Sequence, residues 1–258
     1  NIWRYRSDGT LDPDFSPSGD IDVYSVSLLA QSDGRIVVGR DFSNPPHGKP
    51  TLIRLNADGT PDSTFAPPAN LDDTVRLLVA HPSGGFLAGG QFAYAGAAQV
   101  AGFARLSDAG GLLAYATGPC GGAGTVSRAL RLPGNKVLIV GSFTFVGSTP
   151  RAGAAIIGPD GAADPGFDPG SGFGRPNVEY FCTELMRDAV GRFLVRGTFE
   201  TYGGQACTDF VRILPNGKPD STFVPGLPSG GRVTGMLLGP RGELYVATRR
   251  GAPDICRL

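Results

Sequence analysis

Apolar runs of about four to seven residues recur along the whole chain, separated by stretches rich in Gly, Pro, Asn and Asp. Short apolar runs bounded by turn residues predict β-strands. Between Val23 and Phe65, a first run (residues 26–30) ends at Asp33-Gly34 and a second (35–39) follows at once, as in a hairpin with a tight turn. A third run (51–55) comes after a longer loop, and Asp58-Gly59 turns it into a fourth that ends at Phe65. The second run reappears at 36–39, 86–89, 137–141, 193–195 and 244–247, nearly all apolar, which predicts strands buried on both faces. Four of these runs lead to an aromatic, Phe42, Phe92, Phe143 or Phe199, expected to pack between neighbouring units.

The turn between the third and fourth runs carries a phrase that repeats. Asp8-Gly9-Thr10 leads to Asp12 and Phe15, and Asp58-Gly59-Thr60 to Asp62 and Phe65. Related forms run from Asp160-Gly161 to Phe167 and from Asn216-Gly217 to Phe223, with a degraded copy from Asp108 to Tyr115. The glycines fall at 9, 59, 110, 161 and 217, in steps of 50, 51, 51 and 56. A period of this size with four antiparallel strands per unit predicts an all-β fold, a β-propeller of about five four-stranded blades. We expect one propeller domain over 1–258, with units at 1–17 (partial), 18–67, 68–118, 119–169, 170–225 and 226–258 (partial).

The form V-x-x-L-x-L-x-x-x-G-(K/R)-(I/V)-L-V-G-G-x-F, then A-R-L-N-x-D-G-T-x-D-x-x-F, resembles the bacterial delta-sixty repeat, a propeller-forming relative of the WD-type repeats. The stretch Leu52-Ile53-Arg54-Leu55-Asn56-Ala57-Asp58-Gly59-Thr60 matches it closely. The resemblance extends over essentially the whole chain, strongly in the first and fourth units and weakly in the second and third. It implies a β-propeller in an exported or surface-associated bacterial protein and supplies no catalytic residues.

Asn1-Ile2-Trp3-Arg4-Tyr5 and Asp254-Ile255-Cys256-Arg257-Leu258 match each other, and both read as third strands. Ring closure by the amino-terminal segment leaves two claimants for one place, so the chain is either a five-bladed ring with one segment displaced or a piece of a larger ring. It opens at Asn1 inside a strand, from which we expect an upstream segment able to hold a signal peptide.

Composition narrows the function classes. Gly 40 and Pro 22 fall between the apolar runs and so read as turn chemistry rather than disorder. Basic and acidic residues number 23 each, and no basic stripe exists, which argues against nucleic acid. No apolar segment approaches the roughly 20 residues of a membrane span, so no direct membrane insertion is expected.

Short turns, at Asp33-Gly34, Asp58-Gly59, Ser83-Gly84, Gly134-Asn135, Asp160-Gly161, Asn216-Gly217 and Arg241-Gly242, mark one end of the units. The opposite end holds the variable lengths, with an insertion near 168–180 and a shortened loop at 248–253. Variable loops over a rigid scaffold favour binding. The candidate binding residues there are Tyr94, Arg151, Tyr180, Glu200, Tyr202, Arg249 and Arg250, because aromatics and arginines dominate binding energy.

Other chemistry is weaker. The pairs Asp12/Asp14, Asp20/Asp22 and Asp72/Asp73 suggest calcium, but Asp12, Asp62, Asp164 and Asp220 recur at one place in the repeat, as turn-forming side chains do. His47 and His81 lie at opposite ends of their units, which leaves no shared metal and no Ser-His-Asp arrangement. The glycine-rich 118–124 lacks the Lys-Ser/Thr of a phosphate loop. Cys120, Cys182, Cys207 and Cys256 form no C-x-x-C; a disulfide between Cys182 and Cys207 competes with free buried thiols. We therefore expect a non-catalytic extracellular or cell-surface interaction module without cofactor or metal, part of a larger surface assembly, whose partner is a protein or glycan. A lectin-like propeller is the alternative, and a propeller hydrolase or lyase ranks third.

Overall fold

The computed structural model describes residues 2–18, 25–41, 50–69, 71, 73–100, 102–113, 125–175, 182–207, 209–226, 232–249 and 255–257. All regular structure among them is β; no helix is long and apolar enough to cross a membrane. The chain divides into two compact halves, Asn1–Val126 and Ser127–Leu258.

Among the described residues, five three-stranded antiparallel sheets built from the apolar runs follow one another along the chain, with smaller sheets from the connections. In the first, Ser25–Ala30 pairs with Ile36–Arg40, which pairs with Leu52–Leu55. Val75–Ala80, Phe86–Gly90 and Phe103–Leu106 make the second, and Val126–Leu132, Lys136–Gly141 and Ala154–Ile157 the third. The fourth is Cys182–Arg187, Phe193–Gly197 and Phe210–Ile213, and the fifth Arg232–Leu238, Leu244–Arg249 and Ile255–Arg257. The central strand is the apolar second run each time, and its two-sided burial is seen in Phe86–Gly90, buried throughout. Four first strands break register at the same place, between Ser25 and Ser27, Val75 and Leu77, Cys182 and Glu184, and Val233 and Gly235. Such a bulge adds twist.

Among the described residues the expected fourth strand is not a ladder. Its place is taken by single antiparallel bridges, Tyr5 to Leu11, Leu55 to Pro61, Leu106 to Leu112, Ile157 to Ala163 and Ile213 to Pro219. Local side-chain bonds turn the backbone away from a ladder. Asp58 Oδ1 accepts from the Thr60 amide (2.9 Å) and hydroxyl (2.7 Å), and Asp62 Oδ1 accepts from the Thr64 amide (2.9 Å) and hydroxyl (2.6 Å). The Phe65 amide then donates to the Asp62 carbonyl, closing a tight turn.

Within each half, apolar packing fills the space between successive sheets. In the amino-terminal half Val37, Leu52, Val75, Phe86, Phe92 and Leu106 belong to one buried cluster. In the carboxy-terminal half Leu138, Val140, Phe167, Phe193, Phe199 and Tyr202 belong to another. Phe92, Phe143 and Phe199 are buried as the sequence implies, each worth about 2–3 kcal/mol of transfer energy; Phe42 lies outside the described residues. Close approach between sheets depends on Gly39, where a Cβ would stand 2.7 Å from the Val75 carbonyl oxygen.

Candidate functional site

At the end of the repeats opposite the Asp-Gly turns, the second-to-third connection folds on itself. Tyr94–Ala95 pairs with Ala98–Gln99, Phe145–Val146 with Thr149–Pro150, and Thr201–Tyr202 with Gln205–Ala206. The same backbone bonds brace each hairpin: Val100 to the Ala93 carbonyl (3.0 Å), Arg151 to Thr144 (2.8 Å) and Cys207 to Glu200 (2.9 Å). Gly102, Gly153 and Asp209 donate in turn to the carbonyls of Phe92, Phe143 and Phe199. In each hairpin the second residue is buried, as Ala95, Val146 and Tyr202. The first residue is exposed and aromatic in two of them: Tyr94 is 46% exposed and Phe145 41%.

The seven sequence candidates separate on this frame. Tyr94 is exposed, as is Glu200, which faces Arg175 at 3.5 Å. Arg249 ends its strand exposed, opposite Arg232 in the pairing. Tyr180 and Arg250 lie outside the described residues. Arg151 and Tyr202 are not surface groups. Arg151 is buried, with its guanidinium donating to the carbonyls of Pro150 (2.8 Å) and Asp164 (3.1 Å). Tyr202 is fully buried because the insertion supplies Phe173–Gly174, which pairs alongside Thr201–Tyr202 and packs Phe173 against the tyrosine, the rings tilted and their centres 4.7 Å apart. Its hydroxyl donates to the Gly217 carbonyl at 2.7 Å, and burial pushes its pKa far above that of an ordinary phenol.

The cysteine pair is also not a bridge: Cys182 and Cys207 are free thiols. Both sit in the apolar packing around Phe199 and Tyr202. Burial raises the Cys182 thiol steeply and pushes Cys207 up to about 12, so neither is a nucleophile near neutral pH. Cys120 and His47 lie outside the described residues, while His81 is buried with Nδ1 accepting from the Ser83 amide at 3.2 Å. Among the described residues no three His, Cys, Asp or Glu side chains converge as metal ligands would.

The recurring aspartates serve the turns. Asp12, Asp62, Asp164 and Asp220 accept from the amides of Asp14, Thr64, Gly166 and Thr222 at 2.9–3.1 Å. Their outer oxygens take a cation: Arg4 at 2.8 Å, Arg54 at 2.7 Å, Lys136 at 2.5 Å and Arg212 at 2.8 Å. Bonds from the Thr64 hydroxyl and amide, with Arg54 adding to them, hold the Asp62 carboxyl down at about 2.

Three segments of the chain, 31–65, 133–167 and 191–223, match a family model described as a domain of unknown function (DUF5122) beta-propeller. Each match runs from a first hairpin turn to the terminal phenylalanine, and the degraded second unit is not matched. No curated protein matches the sequence. Among solved structures, the extracellular domain of BT4673 from B. thetaiotaomicron is 12% identical, with 96% of this chain aligned to 32% of that one at a TM-score of 0.47. A catalytically inactive virginiamycin B lyase from Staphylococcus aureus with quinupristin is also 12% identical, over 94% of this chain and 72% of that one, TM-score 0.48. A protein of unknown function from Dyadobacter fermentans is 15% identical over 91% and 78%, TM-score 0.43. The chain thus spans about a third of the first of these structures. Such distant likenesses transfer no activity.

Two features of the hairpin end escape a single-unit reading of the sequence. Phe145 is one: it follows Phe143 by two residues, as Tyr94 follows Phe92. Asp209 is the other, standing where Gly102 and Gly153 stand and sharing their positive φ, at 64°. A non-glycine residue there is strained. Arg232 of the next sheet grips its carboxylate through two bonds of 3.0 and 2.7 Å, which offsets the strain and raises the Arg232 pKa.

Proposed function

We propose that the protein is a non-catalytic, exported or cell-surface interaction module, a five-bladed propeller of the delta-sixty type that binds a protein or glycan through its second-to-third hairpins. The observation that carries this reading is the pair Tyr94 and Phe145, large apolar side chains held outward at the same position of two braced hairpins. An exposed aromatic on a rigid frame gives contact area at small entropic cost. Glu200, Arg175 and Arg249 supply charged groups at the same end of the carboxy-terminal half.

A lectin-like reading stands second. The equivalence of Tyr94 and Phe145 favours it, because repeated aromatic platforms stack on sugars, but Thr201 breaks the series in the fourth unit. Screening against a protein array and a glycan array, with a Tyr94→Ala/Phe145→Ala double variant alongside, separates the two. The expected result is saturable binding to a protein, weakened about tenfold or more in the double variant at unchanged Tm. Binding confined to one sugar class would favour the lectin instead. Binding untouched by the double variant would remove the hairpin end from either account.

A further inference from the structure

Glycine follows Asp or Asn in five turns, Asp8-Gly9, Asp33-Gly34, Asp58-Gly59, Asp160-Gly161 and Asn216-Gly217. All five are built alike. The side-chain oxygen of the first residue accepts from the amide two residues on, at 2.9 Å from Thr10 and Thr60 and 3.1 Å from Arg35, Ala162 and Lys218. Each glycine amide donates to the carbonyl three residues back, as Gly59 does to Asn56 (2.9 Å) and Gly217 to Leu214 (2.9 Å). Turns between the third and fourth runs also seat on the repeat before them. The Ser16 amide donates to the Asp58 carbonyl (2.8 Å), Ala66 to Ala109 (3.0 Å) and Asp168 to Asn216 (2.8 Å), and Arg54 reaches the Asp108 carbonyl.

Asn216 differs from the four aspartates in its chemistry. It is exposed, its side chain is an amide, and the residue after it has no side chain to shield the next backbone nitrogen. Those are the requirements for deamidation. The Gly217 nitrogen gives its proton to solvent base and attacks Asn216 Cγ, closing a cyclic imide as the Cγ–Nδ2 bond breaks and ammonia leaves. Water then opens the imide. Addition at the Cγ carbonyl yields aspartate, and addition at the α carbonyl yields isoaspartate, in which the main chain runs through Cγ. An aspartate reaches the same imide only by expelling water and regains its charge on opening, so of the five turns Asn216-Gly217 alone gains a carboxylate.

Both reacting groups are engaged in the folded turn. The Gly217 N–H is held by the Leu214 carbonyl and Asn216 Oδ1 by the Lys218 amide, so the imide closes only after the turn opens, a local event that competes with native bonds. We propose that Asn216-Gly217 is a deamidation site gated by opening of this turn, and that its two products act on the fold in opposite ways. Aspartate reproduces the turn of Asp8, Asp58 and Asp160, whose Oδ1 makes the same bond, and the seat re-forms. Isoaspartate takes the Asn216 carbonyl out of the main chain, and that carbonyl is the one the Asp168 amide holds. Its added methylene also has no room, because a Cβ on Gly217 would already stand 2.7 Å from the Asp168 backbone. Isoaspartate therefore releases the contact between the third and fourth repeats. The site lies at the turn end and is independent of the function proposed above.

The test holds the intact protein at mildly alkaline pH, folded and in urea above its unfolding midpoint, and follows residue 216 by peptide mapping that resolves Asn, Asp and isoaspartate. We expect Asn216 to be lost about tenfold or more slowly in the folded protein. Amide exchange at Asp168 reads the consequence. Asn216→Asp should leave it unchanged, whereas the isoaspartate form, separated from aged protein, should exchange about tenfold or more rapidly while the buried Leu194 amide keeps its protection. Equal rates of Asn216 loss in the two states would overturn the gate, and no loss in the unfolded chain would overturn the site. Faster Asp168 exchange in Asn216→Asp, or unchanged exchange in the isoaspartate form, would overturn the assigned consequences.

Discussion

Arg54 and Arg105 hold the same place in the third strands of the first and second repeats, one residue before Leu55 and Leu106. Their surroundings differ by one carboxylate. Arg54 is buried, paired twice with Asp62 near 2.7 Å, and stacked on Phe65. At the Asp62 position the second repeat has Leu113, and Arg105 turns instead to the carbonyls of Ser83 and Gly84 at 3.3 and 3.0 Å. The third repeat shows an intermediate solution: Ile156 replaces the arginine, and Lys136 of the neighbouring strand grips Asp164. Where the phrase is whole, then, the aspartate ties its own turn to an arginine that also reaches the next repeat. Where it is broken, the arginine bonds carbonyls of its own repeat. The recurring aspartates Asp12, Asp62, Asp164 and Asp220 act as a mechanical device; Asp20, Asp22 and Asp72 lie outside the described residues.

Removing the arginine tests the difference most severely. Arg54→Ala leaves buried Asp62 with only the longer contact to Arg35, at 3.4 Å, and should cost about 3 kcal/mol in chemical denaturation, against about 1 kcal/mol for Arg105→Ala, which gives up bonds to the Ser83 and Gly84 carbonyls. Equal losses would break the comparison. Asp62→Ala should follow at about 3 kcal/mol, whereas Asp62→Asn, which keeps an acceptor for Thr64, should lose less.

Acid gives a third, smaller handle. The folded-state carboxyl of Asp62 lies near 2, below its unfolded value, so its stabilisation is complete above about pH 4 and is lost as pH falls through 2. The depression of nearly two units corresponds to about 2 kcal/mol. Asp164 and Asp220 are lowered as well, so they add to the same acid limb. The Asp62→Asn protein should show a flatter stability profile between pH 4 and 2; an unchanged slope would mean that Asp62 is not titrating as described. The smallest effect is constructive. Leu113→Asp restores the carboxylate beside Arg105 and should shift stability by no more than about 1 kcal/mol, while drawing the guanidinium off Ser83 and Gly84.

The three strands of each repeat were legible because apolar runs and Asp-Gly turns are local signals. The fourth run is reduced to a single bridge for a physical reason that is also in the sequence: Asp62 and Thr64 bond within their own turn and curl a run that alternation alone would extend. Tyr202 and Arg151 could not be placed from their own neighbourhood. Tyr202 is covered by Phe173–Gly174, nearly thirty residues earlier in the chain, and Arg151 is drawn inward by the Asp164 carbonyl. The outward aromatic was half legible, Tyr94 by type, while Phe145 needed alignment of hairpins whose loops share little sequence. Cys182 and Cys207 lie in one apolar cluster as free thiols, a distinction that spacing does not encode.

The central claim is that the recurring arginine and aspartate act as one clamp in a complete repeat. A double-mutant cycle over Arg54→Ala and Asp62→Ala, followed by urea unfolding at pH 7, measures it directly. The account predicts a coupling energy of about 2 kcal/mol or more, whereas strictly additive losses, within about 0.5 kcal/mol, would contradict it.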